Sequence, residues 1–541
     1  MKDKVMKIWP LALGLVVLLL AMSVLVIVSN NRNQNHIVYS LDDAYIHMSM
    51  AKNLAQHSIW GVSRHEFASS SSSIIWTLLL SFIYLIFGVN EFVPMILNVI
   101  FGSLVIISSY YVLRRYNIKN IYIFLILILL IFVTPLPPLM FTGLEHVLHI
   151  GISILFVYLV TEELVLKKPN KKNSVYIILM ALFLPLVRYE GIVLVMATSI
   201  IFLFRGRWLI SILIFIFSLL PIFLFGIISV NNGWSFFPNS LLLRGNFPDV
   251  TSFNEFINFL GFLLNMFIPS KYFLLVTVNV GVIAIILFLA IRNRKNKVFN
   301  LKTTYMLLLF MVNVALYALY SKSGWSYRYQ SFLVALGMVI ISIAFFEHVF
   351  VNIKKYLLLK ILLSVVCLLL PTIYFAFAGY ELIKKTPISS SNIYEQQYQM
   401  GQFLRSYYQN KNIALNDIGA SNYFADIKCL DLWGLSNLEI SKKRRGGAFT
   451  DTDIREEAKK YDVDIAILYD SWFIEDDITI LPKEWIKAGE WQIQNNVIAG
   501  DDVVSFYAVK PEEEMNLINN LKLYSKLLPS DVIQSGSYVG Q

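Results

Sequence analysis

Tyr39-Ser40-Leu41-Asp42-Asp43-Ala44-Tyr45-Ile46-His47 follows closely on an apolar run from about Ile8 to Val28. The run is long enough to cross a hydrocarbon core, which takes about 20 residues. It therefore delivers two adjacent carboxylates to a lipid surface. Lys2, Lys4 and Lys7 precede the run, and no small-residue cleavage site follows it. The expectation is a retained first helix with its N-terminus inside.

The rest of the chain agrees with a membrane setting. Of 541 residues, 57% are hydrophobic and only 15% charged, against about 25% charged in soluble domains. The mean hydropathy is +0.62. The net charge of +9 reads as Lys and Arg gathered in cytoplasmic loops, because no basic face with interleaved aromatics points to nucleic acid. Cys367 and Cys429 support neither a disulfide framework nor a thiolate metal site.

The basic loops set the topology. They are Arg114-Arg115 with Lys119, Lys167 to Lys172, Arg205 with Arg207, Arg292 to Lys302, and Lys354-Lys355. Placing all of them inside requires an even number of crossings between each and the next. Helices near 119–141, 146–166, 174–187, 191–204, 208–229, 272–291, 303–320 and 329–351 satisfy this, with a last one near 356–377. Two apolar runs, 74–87 and 92–113, lie between the first helix and Arg114. The shorter reaches only about 21 Å as a helix, against a core of roughly 30 Å. It is expected to lie along or dip into the surface, which leaves about 11 spans.

Residues 1–379 then form the membrane unit, with a first outer loop over 30–91. Residues 380–541 form an outer α/β domain, because apolar runs there shrink to strand length: Ile413–Leu415, Asp464–Leu468, Trp491–Ile498 and Val503–Lys510. Ser69–Ser73 reads as a flexible joint.

Several residues carry chemistry by type and place. Asp42 and Asp43 suit a general base that takes a proton from a hydroxyl; a capping box from Ser40 to Asp43 is compatible with this. Arg188, Arg244 and Arg328 fall on the outer side, against the usual bias of positive charge. Arg188 sits in Leu186-Val187-Arg188-Tyr189-Glu190-Gly191 between two short apolar halves, where an ion is costly and commonly lines a cavity. Its fork suits a lipid phosphate, and an internal pair with Glu190 is the alternative. Glu145 and His149 share a helix face at i, i+4 beside His146, and with Asp43 they are the candidate ligands for a divalent cation. No cofactor is otherwise required. Asp417 and Asp431 follow short strands, where ligands or ordinary turns are found.

Taken together, these stretches resemble the GT-C superfamily of membrane glycosyltransferases, in look nearest the branch of bacterial terminal arabinofuranosyltransferases and protein mannosyltransferases. The resemblance runs through Leu41-Asp42-Asp43-Ala44-Tyr45-Ile46, Thr142-Gly143-Leu144-Glu145-His146, Arg188-Tyr189-Glu190-Gly191, Pro238-Asn239-Ser240, Tyr327-Arg328-Tyr329 and Asp417-Ile418-Gly419-Ala420. It implies a polytopic helical enzyme of the bacterial cytoplasmic membrane that moves a sugar from a polyprenyl phosphate to an outer glycan, lipid or protein. Asp42 is then the base, assisted by Asp43, and Arg188, Arg328 and Arg244 meet the donor phosphate. Tyr45, His47, Glu145, His146, His149, Glu190, Asn239, Tyr327 and Asp417 are the expected substrate contacts. Relatives often carry Arg-Pro-Glu-Gly at the Arg188 motif, and a Gly- or Pro-containing turn where this chain has five serines. A flippase for lipid-linked sugars would spread ions through mid-membrane helices, and a membrane acyltransferase would want a His deep in a helix.

Overall fold

The computed structural model describes residues 2–244, 301–320, 328–349, 370–447, 449–475 and 478–539. Helices α1 (Lys2–Arg32), α4 (Val93–Arg114), α7 (His146–Val165) and α10 (Trp208–Asn231) are each long and apolar enough to cross a membrane. Shorter apolar helices join them: α3 (Ile74–Phe87), α5 (Asn120–Val133), α9 (Gly191–Phe204), α12 (Leu301–Tyr320) and α13 (Ser331–Ala344). Large apolar side chains such as Leu20, Val24, Phe82, Phe204 and Phe223 stay exposed, as lipid-facing positions must. The span expected near 272–291 and Cys367 lie outside the described residues.

The run expected as one helix over 119–141 is broken. Helix α5 stops at Thr134, and Pro135, Pro137 and Pro138 restart the chain as α6 (Leu136–Phe141), since proline cannot supply the interior N–H donors of a helix.

The bundle has two chemically distinct ends. At one end Arg207 pairs with the buried Glu163, Lys302 pairs with Glu162, Arg205 lies over Tyr305, and Tyr116 reaches Met306. Helix α7 leads from there to the candidate site about 30 Å away, at 1.5 Å per residue. Helix α8 (Lys171–Val187) rises to Arg188, and α9 returns to Arg205.

Both ends of α3 lie at the candidate-site end. Ser73 caps its start and reaches Leu186, while just beyond its end the Glu91 carbonyl accepts from Tyr39. Helix α2 (Asp43–His57) packs on α3.

Helix α14 (Leu370–Ile393) continues through a π turn into α15 (Gln399–Tyr407), so the boundary placed at 379/380 falls within one continuous rod. Beyond it lies a six-stranded sheet in the order β2-β1-β3-β7-β6-β8. Strands β1 (Asn412–Leu415), β2 (Lys428–Asp431) and β3 (Ile465–Leu468) are parallel. Strands β7 (Val503–Ala508), β6 (Ile486–Gln492) and β8 (Ile533–Gly536) continue antiparallel. A separate ribbon pairs β4 (Ile474–Glu475) with β5 (Ile478–Thr479). The strand expected over 491–498 instead ends at Gln492, because Asn495 takes a left-handed turn.

Strand β3 is buried throughout, as a strand covered on both faces must be. Helices α15 and α19 (Glu514–Tyr524) cover one face through Phe403, Trp491, Phe506 and Tyr524. Helices α17 (Leu438–Arg445) and α18 (Asp451–Lys460) cover the other through Ile440, Ile454 and Phe473. Thr450 and Asp453 close a reciprocal capping box at the start of α18.

Candidate active site

The acid pair begins α2 at the seam between the two units. Asp42 is the N-cap position, but no side-chain cap bond forms there, so the capping box expected from Ser40 is absent. The Asp42 carboxylate turns instead to the C-terminal domain. Its Oδ2 accepts from the Gly419 N–H at 2.7 Å and its Oδ1 from Ala420 at 2.8 Å. These donors open α16 (Gly419–Phe424), which follows β1. In a 2-1-3 parallel order the carboxyl end of the central strand is a topological switch point, where such sheets receive ligands. Here a carboxylate of the same chain fills it.

Glycine is required at 419. A Cβ there would lie 2.4 Å from Asp42 Oδ2 and 2.3 Å from the Asp42 carbonyl oxygen. Asp417 lies within hydrogen-bonding reach of Asp42. Its Oδ2 also accepts from Gln397 at 2.9 Å and Tyr469 at 3.0 Å. Burial and the Asp417 carboxylate raise the proton affinity of Asp42 well above the ordinary aspartate range; the two N–H donors oppose this only in part. Tyr469, wholly buried, is pushed up for the same reasons, burial first and then Asp417.

Asp43 faces the other way. It pairs with Arg328 at 2.7 Å, and its side chain stays 25% exposed. Arg328 and Arg188 both lie on the Tyr329 ring, at 4.9 and 4.8 Å from its centroid. Arg188 donates to Glu145 at 2.5 Å and bidentately to Glu190 at 2.8 and 3.1 Å. The internal Arg188–Glu190 pair therefore exists, extended by a wholly buried second carboxylate. Two guanidinium groups thus gather at one aromatic ring, and three carboxylates pair with them.

His47 borders this cluster. Its Nε2 is 3.2 Å from Ser72 Oγ and 4.0 Å from Glu145, and its Nδ1 is 2.9 Å from Thr77 Oγ1. His146 meets the Tyr329 ring edge-on at 5.8 Å, and His149 packs on Phe332. Among the described residues, neither Nε2 has a hydrogen-bond partner. Among the described residues, no three His, Cys, Asp or Glu side chains stand together as a ligand set, so Asp43, Glu145 and His149 do not form the cation site considered from sequence.

Other expected contacts have different work. Tyr45 is wholly buried against Tyr39, Tyr423 and Phe424, with no face left for a ligand. Asn239 is buried and donates to the Gly434 carbonyl at 2.9 Å, tying the membrane unit to the loop after β2. Asp431 closes that loop by accepting from the N–H groups of Trp433, Gly434 and Ser436, which is turn chemistry. Arg244 ends α11 (Asn239–Arg244), but its side chain, like the whole of Tyr327, lies outside the described residues.

The serine run is no flexible joint. Ser69, Ser70, Ser71 and Ser73 are buried, and the run is bonded on every side. Ser70 donates to Leu435, Ser71 contacts Thr77, Ser73 caps α3, and the Ser69 carbonyl accepts from Asn239. Its role was hidden because local composition reports polarity and says nothing of distant partners. Tyr329, Tyr469 and Gln397 were missed as site members for the same reason.

Residues 391–507 match a family model described as a domain of unknown function, DUF8728. A search of curated proteins finds no match. Among solved structures, ArnT from Cupriavidus metallidurans bound to undecaprenyl phosphate aligns with a TM-score of 0.50 at 11% identity, over 91% of this chain and 98% of that one. The archaeal oligosaccharyltransferase AglB from Archaeoglobus fulgidus, in complex with an inhibitory peptide and a dolichol-phosphate, aligns at a TM-score of 0.44 and 11% identity, over 96% of this chain and 75% of that one. The chain is a polytopic α-helical membrane protein of the GT-C fold with a C-terminal α/β domain.

Proposed function

We propose that the protein is an inverting glycosyltransferase that moves a sugar from a polyprenyl-phosphate donor to an acceptor outside the bacterial cytoplasmic membrane. The observation that carries this reading is the convergence at one membrane end of the Asp42–Asp417 carboxyl pair and the Arg188–Tyr329–Arg328 ledge. A sugar phosphate needs both: a proton acceptor for the incoming hydroxyl and fixed cations for the departing phosphate.

In the proposed step the acceptor hydroxyl attacks the anomeric carbon and yields its proton to Asp42. The bond from that carbon to the phosphate oxygen breaks, and its electron pair leaves with the lipid phosphate. A new glycosidic bond forms on the opposite face. Arg328 and Arg188 offset the charge gained by the phosphate, and Asp43 holds Arg328 in place between turnovers. Asp42 suits the base better than Asp43, because its burial beside a second carboxylate favours taking up a proton, whereas Asp43 is committed to Arg328. The ArnT structure was solved with undecaprenyl phosphate bound, which lends support to a lipid-phosphate donor.

The test is transfer from a polyprenyl-phosphate sugar to a membrane-extract acceptor by purified protein in nanodiscs. Asp42→Asn should lower the rate by about 100-fold or more. Undiminished transfer by that variant, with wild-type thermal unfolding, refutes the assignment.

A further inference from the structure

The outer domain carries a feature that the proposed transfer step does not use. Trp433 follows β2 and Trp472 follows β3, the two strands flanking β1. Both indoles therefore leave the same sheet edge as Asp417. Their ring centroids are 4.7 Å apart and their planes meet at 57°. Trp433 is 36% exposed and Trp472 is half-buried.

Each ring is fixed from behind. The Arg444 guanidinium lies 4.8 Å from the Trp433 centroid and also against Phe449 and Phe473, while its Nε donates to Leu432 at 2.9 Å. Trp472 donates from Nε1 to the Gly500 carbonyl at 3.3 Å. Its ring also leans on Gly500, where a Cβ would come within 2.5 Å. Rings held this way lose little freedom on binding, so contact area converts to affinity with a small entropic penalty. Ser471 and Asp501, bonded to each other, stand beside Trp472.

Two connections lead from the indoles to the acid pair and its surroundings. Trp472 packs on Tyr469 at 5.4 Å, and Tyr469 donates to Asp417 beside Asp42. On the other side, the Gly434 and Leu435 carbonyls next to Trp433 accept from Asn239 and Ser70 of the membrane unit.

We propose that Trp433 and Trp472 form a platform for a neutral saccharide chain, which is the acceptor delivered to Asp42; this rests on the transfer reading above. Sugar rings present an apolar C–H face that lies flat on an indole, and hydroxyls that carboxylate and hydroxyl groups bond. An acyl chain asks instead for a deep apolar channel, and the Asp501 carboxylate beside Trp472 disfavours an anionic chain.

The test uses the full chain in detergent, run through native gels containing mannan, arabinan, galactan or glucan. At least one polysaccharide should retard the protein, and W433A/W472A should weaken that retention about tenfold or more. W433F and W472F, which keep an aromatic face, should retain most of it. The platform is overturned if no polysaccharide retards the parent, or if the double alanine variant, with unchanged thermal unfolding, is retarded equally. Loss of transfer in Asp42→Asn without any polysaccharide retention sinks the platform and leaves the transferase reading standing. Tryptophan-dependent retention by a parent without transferase activity does the reverse.

Discussion

Asp42 and Asp43 are adjacent in the chain and have opposite surroundings: one is bonded to backbone N–H groups of the C-terminal domain, the other to Arg328. Asp43→Asn should therefore raise KM for the lipid donor more than it lowers kcat, since it loosens a cation and leaves the base in place; steady-state kinetics at varied donor separates the two effects. Gly419→Ala should cost about 1–3 kcal/mol by overpacking against Asp42, read as a lower unfolding midpoint in denaturant. Glu66 supplies a pH test. Burial raises its carboxyl to about 7, although Tyr461 donates to it at 3.4 Å. The folded state then holds the proton more tightly than the unfolded state, so stability falls as pH rises from about 4.5 to 7. Glu66→Gln should flatten that part of the stability–pH curve and stabilise the protein above pH 7, by thermal unfolding across pH.

At the scale of elements, the tip between α8 and α9 is held by the Arg188 pairs with Glu145 and Glu190. Arg188→Ala leaves the wholly buried Glu145 without its cation, a loss of about 3–5 kcal/mol. Adding Glu145→Gln should recover part of that stability without recovering transfer, which thermal unfolding and activity measured together will show. The serine strap is the second device. Ser73 accepts from the Trp76 N–H at the start of α3, and Ser73→Ala should cost about 1 kcal/mol in thermal unfolding, as lost N-caps do.

At the scale of the molecule, the C-terminal domain is seated on α2. Lys52 donates to the Tyr423 carbonyl at 2.8 Å and pairs with Asp426, while Asp42 holds α16 from the other side. Weakening this seam by Asp42→Asn, which sets an amide donor against one of the two N–H groups, should raise hydrogen exchange at 416–424 and in the first turns of α2 together. Exchange rising in only one of these segments would show that they are not coupled.

The membrane class, the helix over 74–87 and a C-terminal α/β domain were legible in the sequence, as were the residues to weigh as candidates: Asp42, Asp43, Arg188, Arg328 and Asp417. Each follows from apolar run length, period or an ion standing where ions are costly. Pairing was not legible. That Asp42 meets residues 419 and 420, that Arg188 and Arg328 share Tyr329, and that five serines form a bonded strap depend on parts of the chain brought together only by folding. Tyr45 shows the limit most plainly, since an aromatic beside an acid pair reads as a substrate contact until its neighbours bury it. Local sequence determines which side chains have chemistry to offer; the tertiary structure decides their partners, because burial and hydrogen bonding are set by residues hundreds of positions away.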